Sequence, residues 1–179
     1  DENAIISAAG IAPDLLEQGY CSLDTLVVVF DAAQTLYGDY VGVSSNKGVT
    51  PSSFRSLSIA LLASETLADS FGLLVKHNSI ITNAMSFIAD QKGGGRFGFL
   101  IREDLDISLP IASAILARAL RTASFIHPSA NLVTKVELSY EKPENSALYE
   151  QYFGAPVEWT CSHNSIYFEE NAFNCRSTQ

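Results

Sequence analysis

The residues best able to hold a metal or attack a substrate are few: His77, His127 and His163, and Cys21, Cys161 and Cys175. Metal chemistry needs several ligands brought together, which short spacings such as HxxxH or CxxC achieve on one helix face or one loop. None of these residues has such a spacing, and the histidines fall in three different predicted elements. No metal site, haem site or other cofactor is therefore expected. An odd number of cysteines without paired spacing points to a reducing compartment and not to a disulfide framework.

Catalytic signatures are also missing. The chain contains no Gly-x-Ser-x-Gly elbow, no Walker loop and no dinucleotide fingerprint. Lys92-Gly93-Gly94-Gly95 precedes a strand pattern, so it reads as a hairpin turn, since a phosphate cradle would open onto a helix. Glu103, Asp104 and Asp106 gather before a helix start, where a solvated loop at the positive helix end accounts for them. A small hydrolase or isomerase would need one of these carboxylates in a cleft with a raised pKa, and an enzyme is not expected.

What remains is recognition by a shaped cavity, and the elements that would build one are legible. In the first part, residues 1–81, the pattern is mainly helical. Ala4, Ile5 and Ala8 mark a short turn ended by Gly10, and Pro13, Leu15 and Leu16 mark another ended by Gly19. Leu26, Val27, Phe30, Ala33, Leu36 and Tyr37 follow the helical period from Leu23 to Gly38, although Val27-Val28-Val29 carries strand propensity. Pro51 offers a start for a helix through Phe54, Leu57 and Leu61, and a cap at Ser64 or Thr66 begins another through Leu67, Phe71, Leu74, Val75 and Asn78.

Over residues 82–170 the period changes. Met85, Phe87 and Ala89, then Phe97, Phe99 and Ile101, alternate as two strands around the glycine turn. Ser108 and Pro110 open a helix with a broad apolar stripe that includes Ile115 and Leu120, which should lie buried against the sheet. Leu132, Thr134, Val136, Leu138 and Tyr140 predict a one-sided strand. Leu148, Tyr152 and Phe153 predict a short helix capped at Asn145 and stopped by Gly154 and Pro156. Val157–Thr160 and Ser165–Phe168 then predict a closing hairpin turned through Ser162, His163 and Asn164. The order ββαβαββ implies an α+β fold: N-terminal helices followed by an antiparallel sheet covered by helices, all in one domain spanning 1–179.

The composition agrees. A chain of 179 residues, 47% hydrophobic and 17% charged, can bury a full core without staples. Its 11 basic and 20 acidic residues leave a formal charge of −9, which would repel a phosphate backbone. No signal segment or membrane anchor is predicted, and a cytoplasmic setting is expected.

Ser146 to Phe168, with Phe-Gly-Ala-Pro-Val and Asn-Ser-Ile-Tyr-Phe at its heart, resembles the end of the N-terminal effector domain of AraC-type transcriptional regulators, in the arabinose-binding-domain-like branch. Leu61 to Phe71 resembles the helix-break-helix segment of that family, and Gly10 to Leu16 its opening helical turn. The resemblance implies a domain that senses a small molecule, forms a homodimer and controls a helix-turn-helix DNA-binding domain. Nothing after Phe168 is long enough to hold that domain, so DNA would be met only through a part missing from this sequence. The family name does not license arabinose as the effector. Arg55, His77, Phe87, Phe97, Phe99, Tyr140 and Trp159 are the candidate ligand-binding residues, because the phenylalanine-bearing strands and the long helices would enclose a largely apolar space. The main alternative is a stand-alone ligand or haem sensor that signals through a protein partner.

Overall fold

A computed structural model of the chain describes residues 2–13, 22–38, 40–45, 59–61, 63–128, 132–174 and 176. Helices α1 (Glu2–Ala9) and α2 (Leu23–Tyr37) pack on each other. The Ser22 hydroxyl caps α2 by accepting the Thr25 N–H at 3.1 Å, and Gly38 ends it at a φ of 83°. The helical period thus outweighs the strand propensity of the three valines. The single turn α3 (Val41–Ser44) follows, and residues 59–61 are helical. Next comes α4 (Leu67–Lys76), with Thr66 as its cap: the Thr66 hydroxyl accepts the Asp69 N–H at 3.0 Å and donates to Asp69 Oδ2 at 2.7 Å. The short α5 (Asn78–Ile81) leads into the sheet. The expected turn through Leu15 and Leu16, the helix start at Pro51 with Phe54, Arg55 and Leu57, and Cys21 and Cys175 lie outside the described residues.

Strands β1 (Met85–Asp90) and β2 (Gly95–Ile101) form the expected hairpin, turned by Gly93 and Gly94 at φ 65° and 100°. Then come α6 (Leu109–Ile126), β3 (Val133–Glu137), α7 (Ser146–Phe153), β4 (Val157–Glu158), β5 (Asn164–Phe168) and α8 (Glu170–Asn174). The strand order is β1-β2-β5-β3-β4, and every neighbouring pair is antiparallel except β3–β4, which is parallel. The sheet is therefore mixed and not wholly antiparallel.

The closing hairpin expected from the sequence is absent, because β4 and β5 flank β3 on its two edges. The intervening chain crosses the end of β3: Thr160 N–H donates to the Tyr140 carbonyl at 2.9 Å and Cys161 N–H to the Leu138 carbonyl at 3.0 Å. Asn164, expected in a turn, instead opens β5 and is buried, its Oδ1 accepting the Ser139 N–H at 3.0 Å. A bulge between Val133 and Lys135 also breaks the alternation of β3. Thr134 is the extra residue and is exposed, which leaves Val133, Val136 and Leu138 inward and Lys135 outward.

Helices α4 and α6 cover the inner face, α6 lying against β5 and α4 against β1. The broad stripe expected on α6 is the buried one, with Ala112, Leu116 and Ala123 of it and Ala117 beside it showing no exposure at all, whereas Ile115 and Leu120 at its margin are only half-buried. Among the described residues α6 is also the one helix long and apolar enough to cross a bilayer, yet half of it is buried in this fold, as in the core helix of a globular domain. Behind the sheet end, Phe173 of α8 packs into the space beside Gly95, whose missing Cβ would overlap the ring. Its ring centroid lies 6.1 Å from that of Phe71 and 6.0 Å from that of Phe168.

Candidate functional site

The inner face of the β1–β2 hairpin, α2 and α6 do not meet closely, and between them lies a cavity of about 700 Å³. Its size falls within the range of small-molecule sites. The sheet side is formed by Met85, Phe87 and Phe97, which face inward because alternate residues of a strand share a face. Leu23, Leu26 and Phe30 of α2, at helical spacing, close the opposite side. Ile111, Ile115, Arg118 and Thr122 of α6 recur at three and four residues and line a third wall. Ser22, Ser45, Thr82, Asn83 and Thr122 supply hydroxyl and amide groups at the margins. Arg118 is the only charged residue among the described residues of the lining. Burial pushes its guanidinium pKa down, but an arginine stays protonated in proteins.

Asn78 fixes the strand that carries Met85 and Phe87. Its Nδ2 donates to the Met85 carbonyl at 2.9 Å and to the Thr82 carbonyl at 3.3 Å, while its Oδ1 accepts the Phe87 N–H at 2.7 Å. One amide thereby satisfies both kinds of backbone group on the outer edge of β1, an edge that would otherwise be open to pairing. Asn78→Ala should cost about 1–3 kcal/mol, the price of stripping partners from part-buried backbone groups. Hydrogen exchange at the Phe87 amide, measured against a remote β5 amide, checks this: selective loss of protection is expected at Phe87.

The structure brings together two of the seven candidate residues, Phe87 and Phe97, whose rings lie 5.6 Å apart. Phe99 lies in the closed core with no exposure. His77 sits at the junction of α4 and α5, its N–H donating to the Leu73 carbonyl at 3.0 Å. Tyr140 lies three residues beyond β3, where its hydroxyl donates to the Ile107 carbonyl at 2.6 Å and burial raises its pKa. Trp159 packs edge-on against Tyr149 at 5.3 Å, in an aromatic group that Tyr40 joins. Arg55 lies outside the described residues. Sequence reading missed Arg118, Ile115 and Thr122 as lining residues. The available signal is their shared helical face with Ile111, at spacings of four, three and four residues.

A second polar group occupies the outer face of the sheet. Glu137 accepts from Lys135 Nζ at 2.7 Å and from the Tyr167 hydroxyl at 2.8 Å, and His163 Nε2 lies 2.8 Å from its Oε2. Burial would raise the Glu137 pKa, but the hydrogen bonds from Lys135 and Tyr167 and the nearby charges bring it below its usual value. Arg96 pairs with Asp90 beside this group, and Ser162 Oγ lies 2.9 Å from His163 Nδ1. His163 is thus a satisfied side chain on the outer face of the sheet. Its bonds hold the 159–163 chain on the sheet, far from the cavity face. Among the described residues no cluster of three or more histidine, cysteine or acidic side chains could hold a metal ion.

The family model described as the arabinose-binding domain of AraC transcription regulator, N-terminal, matches residues 1–177. The chain belongs to this family. The AraC-type domain is also similar in structure to the transcriptional regulator CdpR from Pseudomonas aeruginosa, with a TM-score of 0.68 at 14% identity. That likeness, which shows the fold alone, covers 99% of this chain and 56% of the CdpR chain, so the AraC-type domain spans a little over half the length of that regulator. No curated protein sequence matches. The family description and the name of this structural neighbour are both those of transcription regulators.

Proposed function

We propose that this AraC-type domain, as one sensing unit, receives a small-molecule effector in the cavity between α2, α6 and the β1–β2 hairpin. In doing so it sets the placement of helix-turn-helix DNA-binding domains carried elsewhere in the regulator. The observation that carries this reading is the cavity of about 700 Å³, apolar with a few polar groups, in a chain whose family is regulatory. Such a ligand acts only through its different affinity for two states of the domain. Helix α2 is suited to differ between those states: of its residues only Ala33 is fully buried, although Leu23, Leu26 and Phe30 line the cavity.

Pairing of two copies belongs to the same proposal. A regulator reading paired half-sites needs its DNA-binding domains held together, and α2 carries Val28, Leu36 and Tyr37 as exposed apolar side chains. The charge of −9 leaves DNA contact to the other domains, and a regulator that meets DNA acts in the compartment that holds it. Equilibrium sedimentation at micromolar concentration, with and without a labelled duplex carrying paired half-sites, tests this. A homodimer that leaves the duplex free is the expected result. A strict monomer would place the pairing elsewhere and remove the coupling proposed here; sequence-specific retention of the duplex would overturn the division of labour.

A further inference from the structure

Resting on the reading of the cavity as the effector site, the geometry points to a ligand class: a singly charged anion, such as a carboxylate, joined to an apolar body, with Arg118 binding the anion. The apolar part of the argument comes from Phe87, Phe97, Ile111 and Ile115, which give the cavity a wall that rewards contact with hydrocarbon. The charged part comes from Arg118, placed midway along the α6 wall with Ala114 one turn before it and Thr122 one turn after. No carboxylate is found among the described lining residues. The described lining therefore carries a positive charge inside a protein that is negative as a whole.

That sign selects among ligands. A neutral apolar molecule would strip water from the guanidinium and return nothing to it. A cation would meet repulsion, and a dianion would bring a second charge for which the described lining offers no partner. A carboxylate matches the planar fork of an arginine with two parallel N–H···O bonds, which gain strength as the apolar body excludes water. The five donors of the guanidinium allow this together with any contact it makes to the protein.

Aliphatic and aromatic acids share this chemistry, so isothermal titration of the domain would use decanoate and 4-phenylbutyrate, with 1-decanol as the uncharged counterpart. Three proteins are compared: wild type, Arg118→Gln, and Ala114→Phe, which fills the cavity. In wild type decanoate or phenylbutyrate should bind at least about tenfold more tightly than decanol, the order expected for a charge-assisted pair. Whichever acid binds more tightly assigns the body. Arg118→Gln should erase that preference while decanol still binds, and Ala114→Phe should weaken all three. The wild-type preference stands as a readout even if Arg118→Gln folds poorly. Equal wild-type binding of acid and alcohol, both weakened by Ala114→Phe, would overturn the anion inference and leave the cavity reading intact. Binding that Ala114→Phe does not touch, or no binding of any probe, would overturn both.

Discussion

Phe71→Ala should lower the unfolding free energy by about 3–5 kcal/mol, the cost of emptying a closed aromatic position. Phe71 has no exposure, and its ring is the hub of the inner layer: 4.6 Å from Phe97, 5.4 Å from Phe168 and 6.1 Å from Phe173. Those partners come from β2, β5 and α8, so the substitution removes contacts from three elements together and leaves a void between rigid rings that cannot easily collapse. Urea denaturation of the variant beside Leu148→Ala checks the assignment. Leu148 is 39% exposed, and its truncation should stay within about half a kcal/mol. A Phe71→Ala loss below about 1 kcal/mol would show that the hub lies elsewhere. Because Phe97 also lines the cavity, the same variant should loosen the cavity floor along with the core.

The sequence carries the elements of this fold far better than their partners. Periodicity alone places α2, α4, α6 and the β1–β2 hairpin, because each writes its own face into residues a few positions apart. The stops are equally local: Gly38 and Gly154 end their helices at positive φ, and Thr66 caps α4. Pairing is not local. Nothing in Val157–Glu158 announces that it runs parallel to β3 on the far side from β5, since the deciding bonds come from Leu138 and Tyr140, some twenty residues away. The bulge at Thr134 is also invisible to an alternating pattern, which continues unbroken in the sequence.

The cavity was legible to a similar degree. Phe87 and Phe97 stand out because strand alternation puts them on the helix-covered face. Phe99 satisfies the same rule and yet is sealed, for α-helical cover over each strand position depends on where α4 and α6 dock. Arg118 illustrates the opposite failure: in sequence it is a charge partway along an apolar helix, and only the docking of α2 and the β1–β2 hairpin turns its face of α6 into a cavity wall. Asn78 reaches Phe87 across nine residues through its side chain, a bond no periodic pattern records.

Gly42→Ala and Gly72→Ala should shift stability in opposite directions, although both replace a helical glycine by the better helix former. At Gly72, on the exposed side of α4, an added Cβ meets nothing within 4 Å, so the gain in helix propensity, about 0.5–1 kcal/mol, should appear in full. At Gly42 the added Cβ would overlap the Pro110 carbonyl oxygen and the Ser113 hydroxyl, which is itself committed to that carbonyl at 3.1 Å. The obstacle is backbone in the first turn of α6 and cannot rotate away, so the overlap should outweigh the propensity gain and leave a net loss of about 1–3 kcal/mol. The consequence reaches the cavity. Ser45, one residue beyond α3, and Ile111, one beyond Pro110, both line it, so separating α3 from α6 widens the gap that α2 must close. Chemical denaturation gives the two signs, and hydrogen exchange along α2 gives the link: protection should fall in Gly42→Ala and stay unchanged in Gly72→Ala. A stabilised Gly42→Ala protein would mean that α3 does not rest on α6, and α2 would then lack the support by which cavity occupancy could be relayed.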